Sequence, residues 1–341
     1  MTGKLLRWIE SFLTGRKMRV ALGGFFSEWI EVLSGVPQGS VLGPLLFLLF
    51  VNELPRWILT NMKMFADDTK LWKAVSSVSD SQAIQRDLDS LSAWSDKWLL
   101  RFNPTKCKVM HVGHSLNTRY FMRDGTGPME LQVVTEEKDL GVLFTEDLKP
   151  GRQCMAAAAK ASKIIGLVRR NFRDLDKRDF LLIYKTYIRP HLEYCVQAWS
   201  PYLEKDMDML ERVQRSATRL LSGFAKYSYE DRLRRLGITT LRKRRERGDL
   251  IEAYKIISGK EKIDKTQFFH PAKSGYNLRG HSLRIKKERS RLDTRKYSFC
   301  QRVVNGWNRL PQKVVDAQSI NQFKNLLDKH WQDMDATGYT A

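Results

Sequence analysis

Met64-Phe65-Ala66-Asp67-Asp68-Thr69 is the stretch that decides how this chain is read. Two adjacent carboxylates, Asp67 and Asp68, lie between one apolar run (Met62, Met64, Phe65) and another (Leu71, Trp72). Apolar run, acidic turn, apolar run predicts a tight β-hairpin with the acids at its tip. Like charges side by side repel, so the pair is costly unless a cation neutralises it. Oxygen ligands on a rigid hairpin suit Mg²⁺, and Mg²⁺ suits phosphoryl chemistry. Taken alone, an Asp-Asp pair is also what a solvated turn looks like.

Upstream runs Ser34-Gly35-Val36-Pro37-Gln38-Gly39-Ser40-Val41-Leu42-Gly43-Pro44. Its glycines allow close backbone approach to a ligand, and Pro37 fixes a turn. Ser40 reads as the N-cap of a helix running through Leu45–Leu54 and burying most of its circumference. A Gly-rich turn feeding a helix N-terminus suits phosphate; a plain strand-to-helix turn has the same signature.

In order and spacing, this string and Phe65-Ala66-Asp67-Asp68 together resemble the palm of a reverse transcriptase, of the non-LTR (LINE-type, jockey-like) retrotransposon variety. The resemblance implies template-directed DNA synthesis from dNTPs on an RNA template, with an RNA/DNA hybrid as product. It implies Asp67 and Asp68 as catalytic and Mg²⁺-binding residues, and Gly35, Pro37, Gln38, Gly39 and Ser40 at the template and incoming nucleotide. Lys106 would stand by the departing pyrophosphate as a proton donor; a surface lysine reads the same. Leu140, Gly141 and Val142, within Lys138–Phe144, would be the primer grip.

The family's two Mg²⁺ ions need carboxylates from two strands. Here no Asp precedes Asp67. The resemblance places the family's first catalytic aspartate, and the fingers, upstream of Met1. The expectation is therefore the C-terminal part of a longer polymerase, inactive alone, with a full-length element protein as an expected partner. The alternative is a non-catalytic RNA- or nucleic-acid-binding remnant. A third reading, a translated fragment without function, predicts exposed apolar edges.

The chain has 341 residues and a net charge of +21, which points to a polyanionic partner. Residues 1–150 hold 18 Lys+Arg against 17 Asp+Glu, and residues 151–341 hold 41 against 21. The whole excess therefore sits in the second part. Arg242, Lys243, Arg244, Arg245 and Arg247 lie in its densest basic run and are expected on a nucleic-acid backbone; a solvated helix face or an import tract would have the same composition. Cys107, Cys154, Cys195 and Cys300 show no paired spacing, which fits a reducing compartment. Cys107 with His111 and His114 reads as a strand with incidental histidines. The longest apolar run, Val41–Val51, is far short of the ~18 residues of a membrane span, so a nuclear or cytoplasmic location is expected.

Helical periodicity is clear at Ile84, Leu88, Leu91, Trp94 and Trp98, with Asp80 or Ser81 as cap. Phe180, Tyr184, Tyr187 and Ile188 form a second stripe, closed by Pro190. Met207, Leu210, Val213 and Ala217 belong to a third. Residues 259–296 read as a basic linker. The expected class is α+β: a partial palm, a small antiparallel sheet with helices, over residues 1–149. A helical thumb follows over 150–225, then a basic helical C-terminal region over 226–341.

Overall fold

The computed structural model describes residues 2–113, 116, 118–123, 127–272 and 280–337, with side chains through Met334. It divides into two compact units, Met1–Val134 and Thr135–Ala341. His114 lies outside the described residues.

The first unit opens with helix α1 (Lys4–Leu13), which buries none of its side chains. Two short antiparallel ladders follow, β1 (Lys17–Met18) with β4 (Ile30–Glu31) and β2 (Ala21–Leu22) with β3 (Phe25–Phe26). Helix α2 spans Leu42–Val51; its N-cap is Val41, one residue past the expected Ser40, and it ends before the expected Leu54. It does not bury most of its circumference: Leu45, Leu48 and Leu49 are half exposed. The covered side meets α3 (Val78–Trp98), where Phe50 packs edge-on against Trp94 and Trp98.

The acidic hairpin consists of β5 (Asn61–Phe65) and β6 (Asp68–Trp72), antiparallel with Phe65 opposite Asp68. Exposure alternates along both strands, so Met62, Met64 and Leu71 face the core while Phe65 and Trp72 face out. That core is built on Leu88, Leu91 and Trp94 of α3. The cap of α3 is Ser77, not Asp80 or Ser81: Ser77 and Asp80 form a reciprocal capping box, with Asp80 at its third position. Its hydrogen bonds from Ser77 and Ser76 hold the Asp80 carboxyl well below the usual range. The remaining strands pair as β8 (Phe121–Arg123) with β9 (Pro128–Glu130), antiparallel, and β7 (Lys108–Val109) with β10 (Gln132–Val133), parallel. The expected single antiparallel sheet is thus a set of separate two-stranded ladders, because most of its strands are only two to five residues long.

The second unit opens with hairpin β11 (Glu136–Asp139) and β12 (Val142–Thr145). Helices α4 (Gly151–Asn171), α5 (Lys177–Ile183), α6 (Arg189–Glu193), α7 (Val196–Trp199) and α8 (Glu204–Ala217) surround one core. The small residues Ala157 and Ala161 of α4 let it approach Leu210 and Val213 of α8. Pro190 does not close the second stripe. A π-helical turn, Tyr184–Ile188, links α5 to α6. Phe180, Tyr184, Ile188 and Leu192 all stay buried, while Tyr187 turns outward.

Helices α9 (Tyr229–Leu236) and α10 (Leu241–Ile257) follow, separated by left-handed Gly237. A second core joins α10 to α12 (Phe299–Asn308), α13 (Gln312–Val315) and α14 (Ile320–Thr337), while the short α11 (Asp293–Lys296) buries none of its residues. Tyr254 stacks on Phe323 there, and Trp307 is fully buried. Residues 259–296 are not simply a linker. Phe269, His281 and Ile285 are buried, and Pro271 bridges Ile285.

Candidate functional site

Asp67 and Asp68 are exposed at the hairpin tip. The turn is the two-residue loop Ala66-Asp67, and Ala66 takes φ 53°. A non-glycine residue there is strained, which marks the tip as a conformation held by its surroundings. At the opposite end of β5 from the tip stands Asp87 on α3, 2 % exposed, whose carboxylate accepts from Leu59 N at 3.0 Å and Thr60 N at 2.7 Å. Asp87 therefore fixes the approach to β5. Its partners lie 27 and 28 residues away, so no local pattern announces it.

The Gly-rich turn is tied from both sides. Gly35 and Gly39 take φ 75° and 78°. Ser40 Oγ donates to Pro37 O at 2.7 Å and accepts from Gly43 N at 3.0 Å. A Cβ on Gly43 would stand 2.9 Å from Pro37 O, so the helix start needs glycine at that point. Arg16 donates from Nη2 to Gly35 O at 2.6 Å and from Nε to Leu13 O at 2.7 Å, bridging α1 to the turn. Sequence reading missed Arg16, which stands among other cations in Arg16-Lys17-Met18-Arg19. Gln38 is exposed.

Lys106 ends a 3₁₀ turn (Pro104–Lys106) and is exposed; among the described residues no hydrogen bond or ion pair links it to the hairpin tip. Leu140 and Gly141 form the two-residue turn of the β11–β12 hairpin, with φ 44° and 86°. Val142 anchors it in the core. Tyr194 Oη donates to Leu140 O at 3.0 Å, Gln153 accepts from Leu143 N at 2.9 Å, and Arg152 grips Glu136 with two nitrogens. The Arg152 guanidinium holds the Glu136 carboxyl below the ordinary glutamate value.

The basic run on α10 is divided. Arg244 grips Glu193 with two nitrogens, one pair at 2.9 Å, and Arg247 grips Asp328 at 2.6 and 2.7 Å. Arg245 is buried, 4 % exposed, and burial pulls it below the ordinary arginine value. The Arg244 and Arg247 guanidiniums tie helices together, whereas Arg245 Nη1 and Nη2 are buried with no hydrogen-bond partner among the described residues. Arg242 remains exposed, paired loosely with Glu204, and Lys243 lies over the Trp331 ring.

Asp67 and Asp68 offer hard oxygen donors of the kind Mg²⁺ takes. Among the described residues, no group of three or more His, Cys, Asp and Glu side chains is placed to hold a metal ion. The donor chemistry at the tip fits the ion, and the donor number fits one shared contact rather than a closed cage.

The family model for reverse transcriptase (RNA-dependent DNA polymerase) matches residues 2–160. The chain is 28 % identical over 241 residues to the RNA-directed DNA polymerase from mobile element jockey of Drosophila funebris, covering 65 % of this chain and 25 % of that protein. It is 26 % identical over 234 residues to the probable RNA-directed DNA polymerase from transposon X-element of Drosophila melanogaster, covering 63 % and 24 %. The probable RNA-directed DNA polymerase from transposon BS of Drosophila melanogaster is 25 % identical over 231 residues, covering 63 % and 25 %. The chain thus spans about a quarter of the length of the curated relatives it matches. No solved structure matches it.

Proposed function

We propose, from the match of residues 2–160 to the reverse transcriptase family model and the likeness to jockey-type polymerases, that the chain serves RNA-directed DNA synthesis. The observation that carries this reading is the exposed carboxylate pair Asp67–Asp68 on a strained two-residue turn, in the same unit as the Gly-rich turn at the start of α2. Asp67 and Asp68 would hold Mg²⁺, which when bound neutralises the charge that builds on the reacting phosphate oxygens. Gly35, Pro37, Gln38, Gly39 and Ser40 would seat the template and the incoming dNTP, with Arg16 and Gly43 fixing the turn they form. Exposed Lys106 would give a proton to the leaving pyrophosphate. The Leu140–Val142 turn would hold the primer end, steadied by Tyr194.

Residues 1–149 would then be palm, 150–225 thumb, and 226–341 a C-terminal nucleic-acid-binding region, in which exposed Arg242 would meet phosphate. The finer reading is that these 341 residues are catalytically incomplete by themselves. A two-ion site draws carboxylates from two strands, and the only acids ahead of the hairpin, Glu10, Glu28, Glu31 and Glu53, are not grouped with it among the described residues. A full-length element protein would supply what is needed. The purely binding alternative gains no support from relatives that are all polymerases by name.

Primer extension on poly(rA)–oligo(dT) with Mg²⁺ tests both levels. Hybrid binding with no extension by the chain alone is expected. Robust synthesis abolished by Asp67→Ala would keep the polymerase reading and sink incompleteness. Absence of any nucleic-acid binding would sink both.

A further inference from the structure

Helices α8 and α9 and the loop between them carry an arginine cluster outside the α10 run. Arg215, Arg219, Lys226 and Arg235 are exposed, and Arg232 lies beneath them at 3 % exposure. Among the described residues, none of the five has a carboxylate within ion-pair distance; the neighbouring Asp231 is taken by Arg234 and Ser228. Arg232 is held by neutral groups only, donating from Nε to Thr218 Oγ1 at 3.0 Å and from Nη1 to Tyr227 O at 2.8 Å. Burial and then the nearby Arg219 charge pull it below the ordinary arginine value.

Two tyrosines are interleaved with these cations. The Arg235 guanidinium lies 4.0 Å from the Tyr227 ring centroid and Lys226 5.3 Å from the same ring. Arg215 and Arg232 lie 5.0 and 5.7 Å from the Tyr229 ring. The rings orient the cations without neutralising them. Five like charges gathered without an ion-paired carboxylate repel one another, the Glu230 charge offsetting this only in part at Arg232, and an anion with repeated charge relieves that cost. Planar guanidinium forks match phosphate oxygens, and aromatic faces between them accept bases or sugars.

We propose that this α8–α9 cluster is a phosphodiester-backbone contact site for nucleic acid. The inference rests on the reading above for the class of partner, but it assigns the grip to residues that the basic run on α10 does not include. Phosphate contacts add affinity without sequence preference, and each lowers the salt slope by about 0.9 when lost from a duplex.

The test uses the full 341-residue chain and a fluorescently labelled poly(rA)–oligo(dT) hybrid in EDTA, with anisotropy followed between about 50 and 200 mM salt. The double variant Arg219→Gln/Arg235→Gln is set against a charge-matched control, Lys160→Gln/Lys163→Gln, on the exposed face of α4. The expected result is about a tenfold weaker Kd and a salt slope shallower by about 2 for the arginine pair, with less than about a twofold change for the control. Equal losses in both would overturn the site, since bulk charge would then explain binding. Wild-type binding with no loss in the arginine variant would also overturn it while leaving the polymerase reading intact. A wild-type chain that ignores the hybrid but binds anionic vesicles or an acidic peptide would overturn both.

Discussion

Gly43 shows how much a single hydrogen atom can decide. Its Cβ position is occupied by Pro37 O at 2.9 Å and Ser40 Oγ at 3.0 Å, two atoms of the turn proposed to seat template and nucleotide. Gly43→Ala must push the turn off α2, and overpacking of this kind costs about 1–3 kcal/mol. Urea denaturation of the first unit should show that loss, with faster amide exchange at Ser40–Gly43. Ser40→Ala, which removes only the hydroxyl bonds, should cost about 1 kcal/mol. Asp87 makes a complementary case. Its buried carboxylate satisfies two backbone N–H groups ahead of the hairpin. Asp87→Ala leaves both orphaned and should cost about 2–4 kcal/mol, seen as a lower denaturation midpoint for the first unit. A midpoint unchanged by Asp87→Ala would show that the hairpin is held some other way.

Elements add what single residues do not carry. Around Trp307, His281 Nε2 bonds to Trp307 O at 2.9 Å while Nδ1 accepts from Leu283 N at 3.2 Å. That pattern needs the neutral ring, protonated on Nε2. Burial, with Arg284 adding to it and Asp316 opposing, lowers the His281 value below 6.5. A group depressed in the folded state stabilises it above the unfolded value, and that stability is lost as pH falls through the folded value. The second core should therefore lose thermal stability on going from about pH 7.5 to 5.5. Burial also depresses His330, so the comparison is made in a His330→Gln background. There, His281→Gln should flatten the remaining slope; a slope unchanged by it would exclude His281 as the sensor.

The same elements mark what sequence made legible. The α3 stripe repeats at helical spacing, and the acidic hairpin has apolar arms of strand length, so both were readable from local pattern. The π-turn at Tyr184–Ile188 was not, because Pro190 reads as a stop while the bulge lets the apolar stripe run on to Leu192. Nor were the ties Arg16–Gly35, Asp87–Thr60 and Tyr194–Leu140, which join residues 19 to 54 positions apart. Periodicity reports burial on one element; it holds no information about which distant carbonyl a side chain reaches. The arginines of α10 fail for a related reason. Composition marks them as cationic, whereas their partners Glu193 and Asp328 lie 51 and 81 residues away.

At the scale of the molecule, the two units differ in how they use apolar residues. The second buries its large side chains in two cores, whereas the opening residues of the first leave Leu22, Phe25 and Leu33 at 80, 82 and 91 % exposure. Burying such a side chain is worth about 1.5–3 kcal/mol each, so residues 4–33 forgo much of the free energy that would hold them. Stretches with few buried contacts open at low cost and are cut first. Limited proteolysis should therefore cleave within residues 14–41 early, while a fragment starting near Thr135 resists. Dye binding to exposed apolar surface should fall when Leu48→Lys and Phe25→Lys are introduced, with little change in the denaturation midpoint of either unit, because neither side chain is buried. A protease-resistant core that includes residues 4–33 would contradict this, unless light scattering showed that resistance rising with protein concentration. In that case copies of the chain would be covering one another's open face, and the two lysine substitutions should then restore both monodispersity and early cleavage.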